Sequence, residues 1–261
     1  MKNTHIGHLR KPRDSALPSR RNDPIPSRDS DLDRRCQALM GFSFLRGMTK
    51  EDLARFAAMT RMTTRGRGDM IYLPGDASAN VYFLRQGRVK TTGLSEEGHE
   101  VLLDIIGPGE IFGESGAIQQ SPRTTAAQAL DDAHLSEMEG RDFEALLAAY
   151  PEISLRVLKR FGLRLKKVEA QLLNLICKDV PTRVREALVD LMEDKLAAEP
   201  ERPVRIGLTQ QDVANLVGAS RQETARCLKE LEDSAVVELR YRSIVVTAPD
   251  KLRDRASFSR H

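Results

Sequence analysis

Cysteine is scarce: Cys36, Cys177 and Cys227 are the 3 in 261 residues, far apart, odd in number and in no CxxC pair. That pattern excludes a disulfide framework and a cysteine-ligated metal site. The 5 histidines form no HExxH and no i, i+4 pair, so no metal is expected and a zinc hydrolase has no ligand set. A P-loop is missing, and so is any nucleophile–base arrangement, which leaves no enzyme class indicated. No apolar run approaches the ~18 residues that span a bilayer, so no membrane partner is expected. The N-terminus lacks the apolar core of a signal peptide, and a cytoplasmic location is the expectation.

What is present suits two domains rather than one. Hydrophobic residues make up 40% and charged residues 30%, as in ordinary globular protein. The formal net charge of +3 hints at a polyanionic partner, although the N-terminal stretch supplies much of the excess. Residues 1–33 carry Pro12, Pro18, Pro24 and Pro26 among Arg, Asp and Ser. Such a segment buries too little surface to offset its ordering entropy and reads as a disordered arm.

From residue 34 to 150 the texture is that of one β-rich domain. Short helices around Leu53 and Phe56 come first, with Thr49 and Asp52 as an N-terminal cap. Between Gly66 and Leu135, apolar runs such as VYFL and VLLDII alternate with glycines, and Pro74-Gly75 and Pro108-Gly109 are turn signals. Regular short strands of this kind imply an antiparallel barrel or sandwich. Over 151–178 the chain reads as one long helix. Val157, Phe161, Leu165, Val168, Leu172 and Leu175 follow at spacings of 4, 4, 3, 4 and 3, a heptad seam that predicts pairing with the same helix of a second copy.

Residues 179–248 read as an α-rich module, and 249–261 as a polar tail. Thr209 predicts the cap of one helix, with Asp212 at its third position; Ser220 and Glu223 predict a capping box on the next. Gly218 between them suits a left-handed turn residue. A hairpin over 236–246 would form a wing. The second helix then exposes Arg221, Gln222 and Arg226 at its N-terminal end, where a recognition helix meets base edges in the major groove. Arg matches guanine O6 and N7, and Gln matches adenine N6 and N7. Arg240 and Arg242 on the wing are placed for phosphates. The segment 209–247 nevertheless holds slightly more acids than bases, so only the placement of its cations makes a DNA surface.

Ser220-Arg221 followed by Arg226 resembles the recognition helix of the CRP/FNR family of transcription regulators, and the resemblance runs from the helices before the barrel to the wing. It implies an α+β fold: an N-terminal antiparallel β-roll of the cyclic-nucleotide-binding kind, a long dimerisation helix and a C-terminal winged helix-turn-helix. It further implies a homodimer on double-stranded DNA at an imperfect palindrome, with RNA polymerase as a further partner through a loop near 199–202. Base-reading positions carry over to Arg221, Gln222 and Arg226, and backbone-contact positions to Thr209, Gln211 and Arg240; Ser220 and Lys229 complete the expected DNA-binding set. Gln222 stands where the family's best-known pattern has Glu, which implies a different operator.

In the β-rich part, Phe112-Gly113-Glu114-Ser115-Gly116-Ala117 and then Pro122-Arg123-Thr124-Thr125-Ala126 resemble the family's phosphate-binding cassette. A glycine-rich turn frees backbone N–H groups for an anion, and Arg123 offers bidentate donors to a phosphate. By resemblance Glu114 accepts from a ribose hydroxyl, and Gly113, Ser115 and Thr124 line the phosphate. The implied effector is a cyclic nucleotide, cAMP or cGMP. On the base side Val168 offers no hydrogen bond and Glu169 only an acceptor. The alternative is an inherited pocket in which Arg123 pairs with Glu114 and staples the roll. The oxygen-sensing branch needs a cysteine cluster, and only Cys36 is near the N-terminus; no His or Cys axial pair marks a haem site.

Overall fold

The computed structural model describes residues 28–94, 100–198 and 203–254. Most of the expected arm therefore lies outside the described residues. Its last part is helical: α1 (Arg28–Met40) begins soon after Pro26. Leu32, Cys36 and Leu39 fall one turn apart and pack into the core, and Arg35 donates to the Thr60 carbonyl at 2.9 Å. The arm boundary thus moves back from 33, because an apolar stripe at helical spacing outweighs the polar composition around it.

A 3-10 turn (Ser43–Leu45) and α2 (Lys50–Ala58) follow, with Thr49 accepting from Asp52 N. The strands β1 (Thr60–Arg65), β2 (Met70–Tyr72), β3 (Asn80–Gln86), β4 (Val89–Leu94), β5 (Glu100–Ile106) and β6 (Ile111–Phe112) lead to the short helix α3 (Glu114–Gln119). Then come β7 (Ala126–Ala129) and β8 (Ala133–Glu139). They form two four-stranded antiparallel sheets, β1-β8-β3-β6 and β2-β7-β4-β5, the β-roll that the family resemblance implied. Strand β3 is buried on both faces. Tyr82 and Leu84 fill the space between the sheets. Val81 and Phe83 face the helices, where Phe42, Phe44, Phe56 and Phe143 surround Phe83 with ring centroids 5.6–6.0 Å away.

After α4 (Gly140–Ala149), α5 (Pro151–Cys177) runs unbroken. It departs from the expected seam at that seam's first two members. Val157 is buried and Phe161 half-buried against the roll's own helical core. The other four expected seam members, Leu165, Val168, Leu172 and Leu175, are exposed, and so are Leu155, Leu158, Leu163, Leu173 and Ile176. Among these, Leu155, Leu158, Leu165, Leu172 and Ile176 fall on one stripe. Gly162 and Glu169 take the intervening places, so the spacing is a regular 3, 4 repeat. The sequence reading had merged two faces of one helix: the residues that hold α5 to its own domain and those left over for a partner.

The C-terminal module is built from α6 (Val180–Ala198), β9 (Val204–Ile206), α7 (Gln210–Val217), α8 (Arg221–Asp233), β10 (Val237–Arg240) and β11 (Ser243–Val246). The wing gains a third strand, with order β10-β11-β9. The expected polar tail begins instead with a helix, α9 (Pro249–Arg253), whose Leu252 is fully buried in the module's core. Pro at the first helical position starts it. That core also takes in Leu130 from the roll, with Ile105 packed against it, so the two domains share an apolar contact. Among the described residues no helix is long and apolar enough to cross a membrane.

Candidate functional site

The expected capping box forms on α8, and the expected Thr209 cap of α7 closes as a second one. Thr209 Oγ1 accepts from Asp212 N at 3.1 Å, and Asp212 Oδ2 accepts from Thr209 N at 3.0 Å. Ser220 Oγ accepts from Glu223 N at 3.2 Å while Glu223 Oε2 accepts from Ser220 N at 3.4 Å. The Ser220 contacts hold the Glu223 carboxyl below its ordinary range. Gly218 sits between the two helices at φ 60. That left-handed backbone favours glycine, and a Cβ there would lie 2.7 Å from Leu175 Cδ2 at the end of α5, which would have to shift. Arg183 of α6 donates to the Val217 carbonyl at 2.7 Å and fixes the same turn. Beneath α8, Thr224, Cys227, Leu228 and Leu231 are buried; above it, Arg221, Gln222 and Arg226 are exposed. Among the described residues neither arginine has an ion-pair partner, so both guanidinium groups are available to base edges.

The remaining DNA-facing positions differ from expectation in how they are engaged. The Thr209 and Ser220 hydroxyls are committed to caps, so these residues orient the helices. Gln211 is exposed and donates to Asn215 Oδ1 at 2.7 Å. Lys229 is exposed, but its ammonium lies 2.9 Å from Glu232 and 3.2 Å from Asp233. Arg240 donates from two nitrogens to Glu238, each at 2.8 Å. Local carboxylates therefore compete with phosphate at Lys229 and Arg240. The hairpin tip is Arg240-Tyr241-Arg242, with Tyr241 88% exposed.

In the roll, a cleft of about 220 Å³ opens between the glycine turn, β5 and α5, far more room than one ordered water requires. Gly113, Glu114, Ser115, Arg123 and Thr124 all line it, as expected. Gly113 has φ 75, and a Cβ there would meet Arg123 Nη1 at 2.9 Å and the Tyr82 ring at 3.0 Å. Arg123 is 5% exposed. It donates to the carbonyls of Gly113 and Asn80, and its guanidinium lies 4.3 Å from the centre of the Tyr72 ring. The Arg123–Glu114 staple is thus corrected: Arg123 is held by backbone carbonyls, and Glu114 meets Arg164 at 3.5 Å. Burial pushes the Glu114 carboxyl above the ordinary carboxylate range against the pull of Arg164 and Arg123.

Glu114 Oε2 and Arg123 Nε are both buried without a hydrogen-bond partner. An orphaned acceptor and an orphaned donor in one cleft fit a ligand that carries both a hydroxyl and an anion. Glu169 does not line the cleft; it is exposed on the outer stripe of α5. Val168 does line it, as does Arg164 one turn earlier. Arg164 Nε donates to Asp104 Oδ2 at 2.9 Å, and Lys167 donates to Asp104 Oδ1 at 3.3 Å. Sequence reasoning missed Arg164 and Asp104. The signal for Arg164 was its place four residues before Val168 on the same helical face; Asp104, inside the run VLLDII, gave none.

The family profile described as "Cyclic nucleotide-binding domain" matches residues 64–150, and "Crp-like helix-turn-helix domain" matches 182–255. The CRP-like cAMP-activated global transcriptional regulator of Mycobacterium tuberculosis is 30% identical over 192 residues, which is 73% of this chain and 85% of that protein. The chain belongs to the CRP/FNR family. The cAMP-activated global transcriptional regulator CRP of Haemophilus influenzae is 28% identical over 173 residues, 66% of this chain and 77% of that one. Among solved CRP/FNR-type folds, the c-di-GMP responsive global regulator CLP of Xanthomonas campestris aligns with a TM-score of 0.67 at 23% identity, over 76% of this chain and 99% of its own. FixK2 of Bradyrhizobium japonicum aligns at 0.62 and 18%, over 74% and 95%. This member is a DNA-binding transcription regulator with a cyclic-nucleotide-binding domain and a helix-turn-helix; its relatives are regulators, not enzymes.

Proposed function

We propose that the protein is a cytoplasmic homodimer that reads an imperfect palindrome in double-stranded DNA and whose affinity for it is set by a cyclic nucleotide. The DNA reading rests on one observation: α8, capped by Ser220 and Glu223, presents Arg221, Gln222 and Arg226 exposed, the two arginines with no ion-pair partner among the described residues. A two-fold pair places two such helices about one DNA turn apart, ~34 Å. The exposed stripe Leu155, Leu158, Leu165, Leu172 and Ile176 supplies the seam for that pair. Glu169 lies on this stripe beside the cleft-lining Val168, so in a parallel pair it faces the second copy and any contact with a base crosses the dimer axis. RNA polymerase is the expected downstream partner; the loop at 199–202 lies outside the described residues.

The nucleotide reading rests on the two orphaned atoms, Glu114 Oε2 and Arg123 Nε. Arg123 and the backbone at Gly113 and Ser115 would hold the phosphate, with Thr124 beside them, and Glu114 would accept from the ribose. The bound nucleotide supplies a negative charge and a hydroxyl to a cleft with matching groups. Which base is taken, that of cAMP or of cGMP, is settled by the groups around Val168 and Asp104. A second reading has its own support. Arg123 already donates from both terminal nitrogens to backbone carbonyls, as a structural staple would. Calorimetric titration of nucleotide-free protein with cAMP and with cGMP separates the two: saturable heat supports the first, and its absence with both nucleotides supports the second.

A further inference from the structure

The sheet that carries the cleft has the DNA-binding domain on its other face. Strands β4 and β5 pair antiparallel, with Thr91 opposite Asp104 and Lys90 opposite Ile105. Successive residues of a strand point to opposite faces. Thr91 and Asp104 line the cleft; Ile105, one step along, packs against the core of the DNA-binding domain. Lys90 lies beside it. Its Nζ is 2.8 Å from Asp212 Oδ1, and both side chains are only 12% exposed. Glu100 lies 3.4 Å from the same ammonium and is half-exposed. A β-bulge falls between Thr91 and Thr92, next to these pairs, and bulges mark places where a ladder is locally irregular.

Asp212 uses its two oxygens for different purposes. Oδ2 closes the cap of α7 on Thr209, and Oδ1 receives Lys90 across the domain boundary. Burial opposes both charges. Its effect on Lys90 is outweighed by Asp212 and Glu100, and its effect on Asp212 by the bonds from Lys90 and Thr209. A largely buried pair of this kind is sensitive to small displacements, because each ion is poorly solvated once separated.

We propose that Lys90 is the positioning residue that ties the first helix of the helix-turn-helix to the back of the cleft's sheet, so that a ligand bound at Thr91 and Asp104 moves α7 through Lys90 and Asp212. The transmission half rests on reading the cleft as a nucleotide site; the tie itself does not.

The test uses the full chain and three variants. Lys90→Met keeps the stem and removes the charge, Lys90→Arg keeps the charge, and Asp212→Asn keeps an acceptor for Thr209. Three readouts are taken: heat of cAMP binding without DNA, DNA affinity with and without saturating cAMP, and amide exchange in α7 relative to α8. Lys90→Met and Asp212→Asn should bind cAMP within about twofold of wild type. The factor by which cAMP raises DNA affinity should fall at least about threefold in both, and Lys90→Arg should restore most of it. Exchange in α7 should quicken in Lys90→Met with or without nucleotide. A Lys90→Met protein that keeps the wild-type factor overturns the transmission, as does a Lys90→Arg protein that loses as much of that factor as Lys90→Met. If wild type gives no heat with cAMP, the nucleotide reading fails separately, and unchanged α7 exchange in Lys90→Met overturns the tie by itself.

Discussion

Arg164 of α5 and Asp104 of β5 meet at 2.9 Å inside the cleft, and the same guanidinium lies 3.5 Å from Glu114. One side chain on the long helix thereby bridges two carboxylates of the roll. Removing it has a signed consequence. In the proposed nucleotide site the ionised form of Glu114 is the one that accepts a ribose hydroxyl, so nucleotide binding should weaken as pH falls through the Glu114 pKa. Burial already raises that pKa, and Arg164 opposes the rise. Arg164→Gln should raise it further, so the acid limb of the binding profile moves to higher pH. Calorimetry across pH checks this; an unmoved acid limb would show that Arg164 does not tune Glu114.

Leu165→Asp and Val157→Ala should separate the two faces of α5. Leu165 is 59% exposed on the outer stripe and Val157 is buried in its own domain. Leu165→Asp places a charge in the seam of both copies at once, so sedimentation should show monomers with unchanged thermal folding of each domain. Val157→Ala should leave the dimer intact and lower stability by ~1–3 kcal/mol. Monomers from Val157→Ala, or dimers from Leu165→Asp, would reverse the assignment of faces.

Which parts were readable in the sequence follows from how local their determinants are. The helix-turn-helix was legible because Thr209, Asp212, Gly218, Ser220 and Glu223 act within a few residues of each other and leave little freedom in the turn. The roll was legible from glycines spaced between short apolar runs. The phase of α5 was not, because a periodic row of Val, Leu and Phe does not say which members touch the same chain. The third wing strand, β9, is only three residues long, and its partner β11 lies about forty residues away in sequence. The Lys90–Asp212 contact joins residues 122 positions apart, and no local pattern records such a pairing.

On the DNA side, base reading and phosphate contact should respond differently to mutation. Arg226 is exposed without an ion-pair partner among the described residues, so Arg226→Ala should cost ~1–3 kcal/mol on the operator and relax preference at one base pair. Arg240 is held by Glu238. Arg240→Ala should therefore weaken all sequences alike, by less than Arg226→Ala does on the operator, with a reduced salt slope. Glu238→Gln should strengthen non-specific binding by releasing Arg240. Titrations at several salt concentrations check all three, and identical behaviour of Arg226→Ala and Arg240→Ala would remove the basis for giving them separate roles.

The cap on the recognition helix predicts a stability effect with a functional echo. Ser220→Ala removes the acceptor for Glu223 N and should cost ~1 kcal/mol. Because the cap also sets where Arg221 and Gln222 stand, operator affinity should fall more than non-specific affinity. A variant that loses both in equal proportion would show that the cap serves folding alone.

Ligand gating is tested most directly by measuring operator affinity of demonstrably nucleotide-free protein across a titration with cAMP and with cGMP, beside nucleotide affinity with and without operator. Binding linkage requires one factor in both directions: at least one nucleotide should raise operator affinity, and operator should raise that nucleotide's affinity equally. Arg123→Ala should weaken nucleotide binding ~10- to 100-fold, as expected for loss of a charge-assisted contact in a buried site. Full-strength operator binding by nucleotide-free protein, with no heat from either nucleotide and an Arg123→Ala effect confined to stability, would contradict gating and leave the cleft a structural inheritance.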